Sequence, residues 1–205
     1  MATSTLVRAL LVGTLLGAAV VAPPARAQGK PKDAQSAFEP SSGPGAGQEF
    51  LKTFEGDWTV DKVFHRASGE DVHTPGECHQ QMIQGGLFLQ SDFTFHEKDG
   101  KTTTGTGISG FDPKSGLFLT VWYDSRSPRM SLRTSHDPFD GQHIVLYSVS
   151  AGPSWGGEHE SRTETHLEDG GRKLVHQQFT TDKDGKERVL LELILTRKGD
   201  APAKN

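Results

Sequence analysis

The chain lacks most of the features that usually name a protein. Its 205 residues include one cysteine, Cys78, so neither an internal disulfide framework nor a multi-cysteine zinc site can form. Neither sign of charge dominates. There are 22 Lys+Arg against 26 Asp+Glu, a net −4, without the clustered basic excess of a nucleic-acid binder. No repeat recurs at solenoid or propeller spacing. Nine histidines are present, but none stands in a His-x-His or His-Glu-x-x-His arrangement, so the spacing nominates no metal ligands. No catalytic residue is nominated either, and the sequence requires no cofactor. Helical periodicity is confined to residues 49–54, where Phe50, Leu51 and Phe54 share one side.

Long apolar runs are also missing, except near the start. Residues 9–22 form a run of small residues, Leu and Val, preceded by Arg8. Pro23-Pro24 and then Ala25-Arg26-Ala27 follow, a small-x-small cleavage pattern. A transmembrane helix needs about 20 apolar residues, so residues 1–27 read as a cleaved signal peptide and the protein as secreted or periplasmic. No membrane span is expected after cleavage. In an oxidising compartment Cys78 has no internal partner, and a buried small apolar role is expected. Residues 28–47 are rich in Gly, Pro, Ser and Ala, with Phe38 the only large apolar group, and read as a flexible spacer. Residues 48–198 form the folded domain, and 199–205 read as a frayed tail.

From Gly56 onward the chain is a string of short runs with two-residue alternation: 57–66, 77–83, 87–97, 102–111, 117–124, 129–135, 142–150, 158–167, 173–181 and 187–197. Asp99-Gly100 and Asp184-Gly185 supply positive-φ hairpin turns, and Asp112-Pro113-Lys114-Ser115-Gly116 supplies another bend. Ten strands in an antiparallel meander, with no helices to cover them, must close or stack. The expected fold is all-β, an up-and-down barrel of about ten strands with a short N-terminal helical turn. An open sandwich is the alternative. Gly105-x-Gly107-x-x-Gly110 spells a dinucleotide pattern, but it lies within the strand series. These glycines read as close-approach positions in a curved strand.

Gly56-Asp57-Trp58 at the first strand and Arg197 at the end of the last resemble the lipocalin-type (calycin) pattern. There a late Arg packs on the opening Trp. Met82 to Ser91, Gly105 to Asp112, and Trp122-Tyr123-Asp124-Ser125 resemble a bacterial family, domain of unknown function 1579. So do Glu192 and Thr196-Arg197-Lys198. The resemblance covers residues 48–198 and implies a lipocalin-like barrel without assigning an activity. The family usually has Arg at Leu87 and Tyr at Phe111, so both are departures.

A barrel of this size has room for one small ligand. Both faces of the run 158–167 and of the run 102–111 are polar, which admits either an interior polar on one side or solvent-facing strands. The strand 117–124 leaves its inward face open: Phe118, Thr120, Trp122 and Asp124, or Leu117, Leu119, Val121 and Tyr123. The leading expectation is a small lipophilic or amphiphilic ligand. Phe88 and Trp122 would be its apolar walls, and Gln90, Asp124, Arg162 and His176 its polar anchors. Glu192, which matches the family, is counted among the ligand residues without a defined role, and Trp58 and Arg197 close the barrel. Two alternatives stand beside it. One is a haem-bearing barrel of the nitrobindin-like kind, with His176 as axial ligand. The other is an interaction module forming a homodimer through exposed strand faces and Trp155.

Overall fold

A computed structural model describes residues 42–148, 161–181 and 184–199. The stretch read as a signal peptide, most of that read as a spacer, residues 149–160 with Trp155, and the residues beyond Gly199 lie outside the described residues. A helix α1 (Ala46–Lys52) leads into strands β1 (Gly56–Phe64), β2 (Val72–Ile83), β3 (Phe88–His96), β4 (Thr102–Asp112) and β5 (Leu117–Asp124). Then come β6 (Ser127–Thr134), β7 (Ile144–Ser148), β8 (Arg162–Glu168), β9 (Lys173–Thr181) and β10 (Glu187–Arg197). Each strand pairs antiparallel with its neighbour in sequence, and β10 pairs with β1, so the sheet is a closed barrel rather than a sandwich. Closure satisfies the strand edges that an open meander would leave unpaired.

The helix starts inside the stretch read as spacer. Gly45 donates its backbone N–H to Gln48 Oε1 (2.7 Å), and Gln48 Nε2 donates to the Phe111 carbonyl (2.7 Å). Gly47 lies so close to the Phe111 ring that a Cβ would sit 2.2 Å from its Cγ. A Gly-rich segment therefore orders here because only glycine admits the aromatic ring. The helix plugs one end of the barrel, where Phe50, Phe111, Phe118 and Phe139 form an aromatic cluster below it.

The same end carries the Trp58–Arg197 closure. The two are register partners across β1 and β10, and the guanidinium lies 4.0 Å from the indole centroid. Trp58 Nε1 donates to the Phe54 carbonyl (2.9 Å). Arg197 donates to the carbonyls of Thr53 (2.7 Å), Gly171 (3.0 Å) and Glu55. One side chain thus satisfies carbonyls from the helix exit and from the turn before β9, groups that would otherwise be buried unpaired.

Three local features of the strands bear on the site. β2 begins at Val72, ahead of the expected 77, and runs through Pro75-Gly76. Residues 72–75 pair only with β1, because pairing with β3 starts at Gly76, so the N–H that Pro75 lacks faces no strand. In β10 the apolar alternation through Val189, Leu191, Leu193 and Leu195 breaks at a bulge between Val189 and Leu191. Val189 pairs with Phe179 on the outer face, while Leu191 pairs with Gln178, which faces the interior. Strands β5 and β6 are apolar outward. Leu119, Tyr123, Met130 and Leu132 are exposed, and Phe88 on β3 extends this outer patch.

Candidate ligand cavity

The barrel encloses a cavity of about 550 Å³. Leu51 and Phe54 form its floor, and its mouth lies at the opposite end, beside Phe64, Arg66 and Glu97. Alternation gives its walls two characters. From β10, β1 and β3 come Leu191, Leu193, Leu195, Phe64, Phe93 and Phe95, an apolar wall. From β4, β5, β6, β8 and β9 come Ser109, Thr120, Arg133, Thr165, His176 and Gln178, a polar one. The polar reading of the interior holds on this side. Thr163 and Thr165 of β8 point in, while Arg162 and Glu164 of the same strand form an outer ion pair (2.9 Å).

Trp122 faces the cavity, so the open question on β5 resolves to the Phe118, Thr120, Trp122 and Asp124 face. Its ring packs on β4, where a Cβ at Gly105 would lie 2.3 Å from Trp122 Cζ2, and Gly107 also lies beneath the indole. The Gly105–Gly107–Gly110 row is the close-approach series expected, with Gly110 on the other face beneath Phe88. Asp124 sits at the mouth, but its oxygens are occupied. It accepts from Trp122 Nε1 (3.0 Å), Arg126 Nη2 (2.7 Å) and the Arg126 backbone N–H (2.9 Å). The Arg126 guanidinium, aided by the indole N–H, holds its carboxyl well below the usual carboxylate range. It braces Trp122 and caps the following turn.

His176 lies inside, with Nδ1 sharing a hydrogen bond with Thr165 Oγ1 (2.7 Å) and Nε2 without one among the described residues. Burial, with the nearby Arg133 charge, pushes its pKa down from 6.5 to about 4, so the ring is neutral. Arg133 donates through Nη1 to Ser161 Oγ (3.0 Å) and Ser161 O (3.3 Å). Gln80 lines the cavity and is 4% exposed, yet its Oε1 has no hydrogen-bond partner among the described residues.

Four of the expected ligand residues do not line the cavity. Phe88 is on the outer patch, across from Gly110. Gln90 donates to Asp92 (2.7 Å) on the outer face of β3, whose inward residues are Leu89, Ser91, Phe93 and Phe95. Arg162 stacks outside on Phe179 (3.7 Å to the centroid) and pairs with Glu187 (2.7 Å). Glu192 accepts from Gln177 (2.7 Å) between inward-facing Leu191 and Leu193. In each case the strand parity is one residue away from an inward position. The structure therefore brings Trp122, Asp124 and His176 together and adds Gln80, Thr165 and Arg133, which the sequence reading missed. Only hairpin register, which pairs Ser131 with Trp122, marks β6 as the strand that turns Arg133 inward.

The model of the family described as "Protein of unknown function (DUF1579)" matches residues 43–197. The chain belongs to this family. The solved structure of Rv2717c from M. tuberculosis is similar at 15% identity, with a TM-score of 0.55 over 77% of this chain and 100% of that one. That likeness is one of fold. No curated protein matches the chain significantly. The two departures from the DUF1579 pattern fall outside the cavity lining: Leu87 is in the β2–β3 turn, and Phe111 is in the aromatic cluster. Scattered histidines are mostly surface partners of carboxylates, as in His65–Asp71 (2.8 Å), His73–Asp61 (2.8 Å) and His79–Asp57 (2.7 Å). Among the described residues no group of three or more His, Cys, Asp or Glu could hold a metal ion, and no helix is long and apolar enough to cross a membrane. Cys78 is buried, and burial pushes its thiol far above the ordinary range, which leaves it unreactive.

Proposed function

We propose that the protein is exported by the segment 1–27 and holds a small amphiphilic molecule inside the barrel. The observation that carries this reading is the two-sided lining of the cavity. An apolar wall and a polar wall face each other across about 550 Å³, within the range of small-molecule sites. Apolar surface supplies affinity, and the few fixed polar groups orient the ligand. Native mass spectrometry of the purified protein, with uptake of the uncharged dye Nile red, tests it. The expected result is a retained molecule or a saturable fluorescence rise that added amphiphiles reverse. A chain of bare mass that takes up no dye would overturn the reading.

A haem-bearing barrel is the second reading, and His176 favours it. The ring is neutral and oriented by Thr165, with Nε2 free of any hydrogen bond among the described residues. Those are the conditions for an imidazole ligand whose other nitrogen is fixed. His176 would hold the iron, and haem would supply redox or gas-binding chemistry there. Added haemin is expected to give a shifted Soret band that His176→Ala removes; an unchanged spectrum would dismiss haem. A homodimer would pack on the outer patch around Leu119 and Leu132, and sedimentation equilibrium of the same sample reads it directly.

A further inference from the structure

We propose that this cavity selects amphiphiles carrying one negative charge, carboxylates above all, whose head group pairs with Arg133. The inference rests on the ligand-binding reading above and adds the chemistry of the head group. The lining differs in sign from the molecule around it. The protein as a whole carries −4, whereas the cavity is lined by Lys62, Arg66, Arg126 and Arg133 against Glu97 and Asp124 alone. Two of those cations are matched within the lining, Lys62 to Glu97 (3.2 Å) and Arg126 to Asp124 (2.7 Å). Arg66 is exposed at the rim, where water screens it.

That leaves Arg133 as the one interior cation without a carboxylate among the described residues. Among the described residues its hydrogen bonds both leave from Nη1, toward Ser161, so the rest of the guanidinium fork has no partner there. A half-buried guanidinium without a counter-charge loses hydration and gains no Coulombic return, a cost that an anionic guest removes. Burial pushes its pKa below that of a free guanidinium, yet the group remains charged at any physiological pH.

Register sets the surroundings of the head group. Arg133 is the partner of Thr120, and Thr120 of Ser109, so a guanidinium and two hydroxyls share one level of the polar wall across β6, β5 and β4. Ser109 and Thr120 hydrogen-bond to each other (2.8 Å), which leaves capacity for one more acceptor or donor. His176 is neutral and adds no charge. One unmatched interior cation balances one negative charge, which favours a carboxylate over a phosphate dianion. The apolar wall of β10, β1 and β3 accommodates the tail.

The test is displacement of Nile red by dodecanoate, dodecanol and dodecylammonium at neutral pH, with the wild-type protein, Arg133→Gln and Arg133→Lys. Thermal melts confirm that both variants fold. Dodecanoate is expected to compete about tenfold or more better than dodecanol in the wild type, with dodecylammonium weakest. Arg133→Gln should abolish that preference, bringing dodecanoate and dodecanol to within about twofold of each other, and Arg133→Lys should retain part of it. Equal competition by all three in the wild type, or an undiminished preference in Arg133→Gln, would overturn the inference and leave the ligand-binding reading standing. Failure of every amphiphile to compete would overturn both.

Discussion

Trp58→Ala is expected to destabilise the barrel by about 3–5 kcal/mol, the range for deleting a fully buried large aromatic side chain. Domains of this kind are stable by only about 5–15 kcal/mol in total, so this single change removes a large share. Trp58 is 0% exposed, and its loss acts at three points. The cavity left behind has no neighbour free to fill it, since α1 and β10 are fixed by their own hydrogen bonds. The Phe54 carbonyl loses the indole donor. Arg197 loses the ring beneath its guanidinium while still bound to three carbonyls. Urea denaturation checks the figure. Trp58→Phe should recover most of the packing but not the N–H donor, for a residual cost of about 1–3 kcal/mol. Coupling between Trp58 and Arg197 in a double-mutant cycle is expected at about 0.5–2 kcal/mol. A cost below about 1 kcal/mol for Trp58→Ala would mean that the stack does not hold the closed end.

The second large effect is acid sensitivity centred on His176. Its pKa in the folded protein, about 4, lies below the ordinary 6.5, so the unfolded chain binds the extra proton between those values. Stability from this group is therefore complete above about pH 6.5 and declines as the pH falls toward 4. The accumulated loss by pH 4 is about 3 kcal/mol at most. Carboxylates held below their usual range, Asp140 at about 2 among them, begin to add to the loss as the pH falls through their unfolded values near 4, and most of their share comes at lower pH. Unfolding midpoints measured from pH 7 to pH 4 should fall steadily for the wild type. They should flatten in His176→Gln, which keeps a polar group beside Thr165 without a site that titrates. An equal slope in the variant would place the acid sensitivity elsewhere.

The architecture was largely legible from the residues. Asp-Gly and Pro/Gly punctuation marks the hairpins, and the Trp58–Arg197 pair marks where the ring closes. Parity was the weak point. A hydrophobic pattern identifies the inner face only when the inner face is the oilier one, and β5 and β6 reverse that rule. Met130 and Leu132 face out while Ser131 and Arg133 line the polar wall, so side-chain character alone points the wrong way. Phe88 and Gln90 failed for the same reason, because Leu87 to Glu97 offers plausible aromatic and polar groups at both parities. The bulge at Val189/Leu191 is invisible in an unbroken run of apolar residues, since a bulge leaves composition unchanged. Trp122 and Asp124 were found, but Asp124 proved to be spoken for by Arg126, a partner two residues away on the turn.

Because β1 completes the ring only by pairing with β10, the contacts that shut the barrel join segments far apart along the chain; Arg197 reaches Thr53 across 144 positions. Loop-closure entropy makes such contacts slow to find. During synthesis the first nine strands would emerge as a curling ribbon with two raw edges, and the indole would wait for a guanidinium not yet made. Closure of the barrel therefore has to wait until the last strand has left the ribosome.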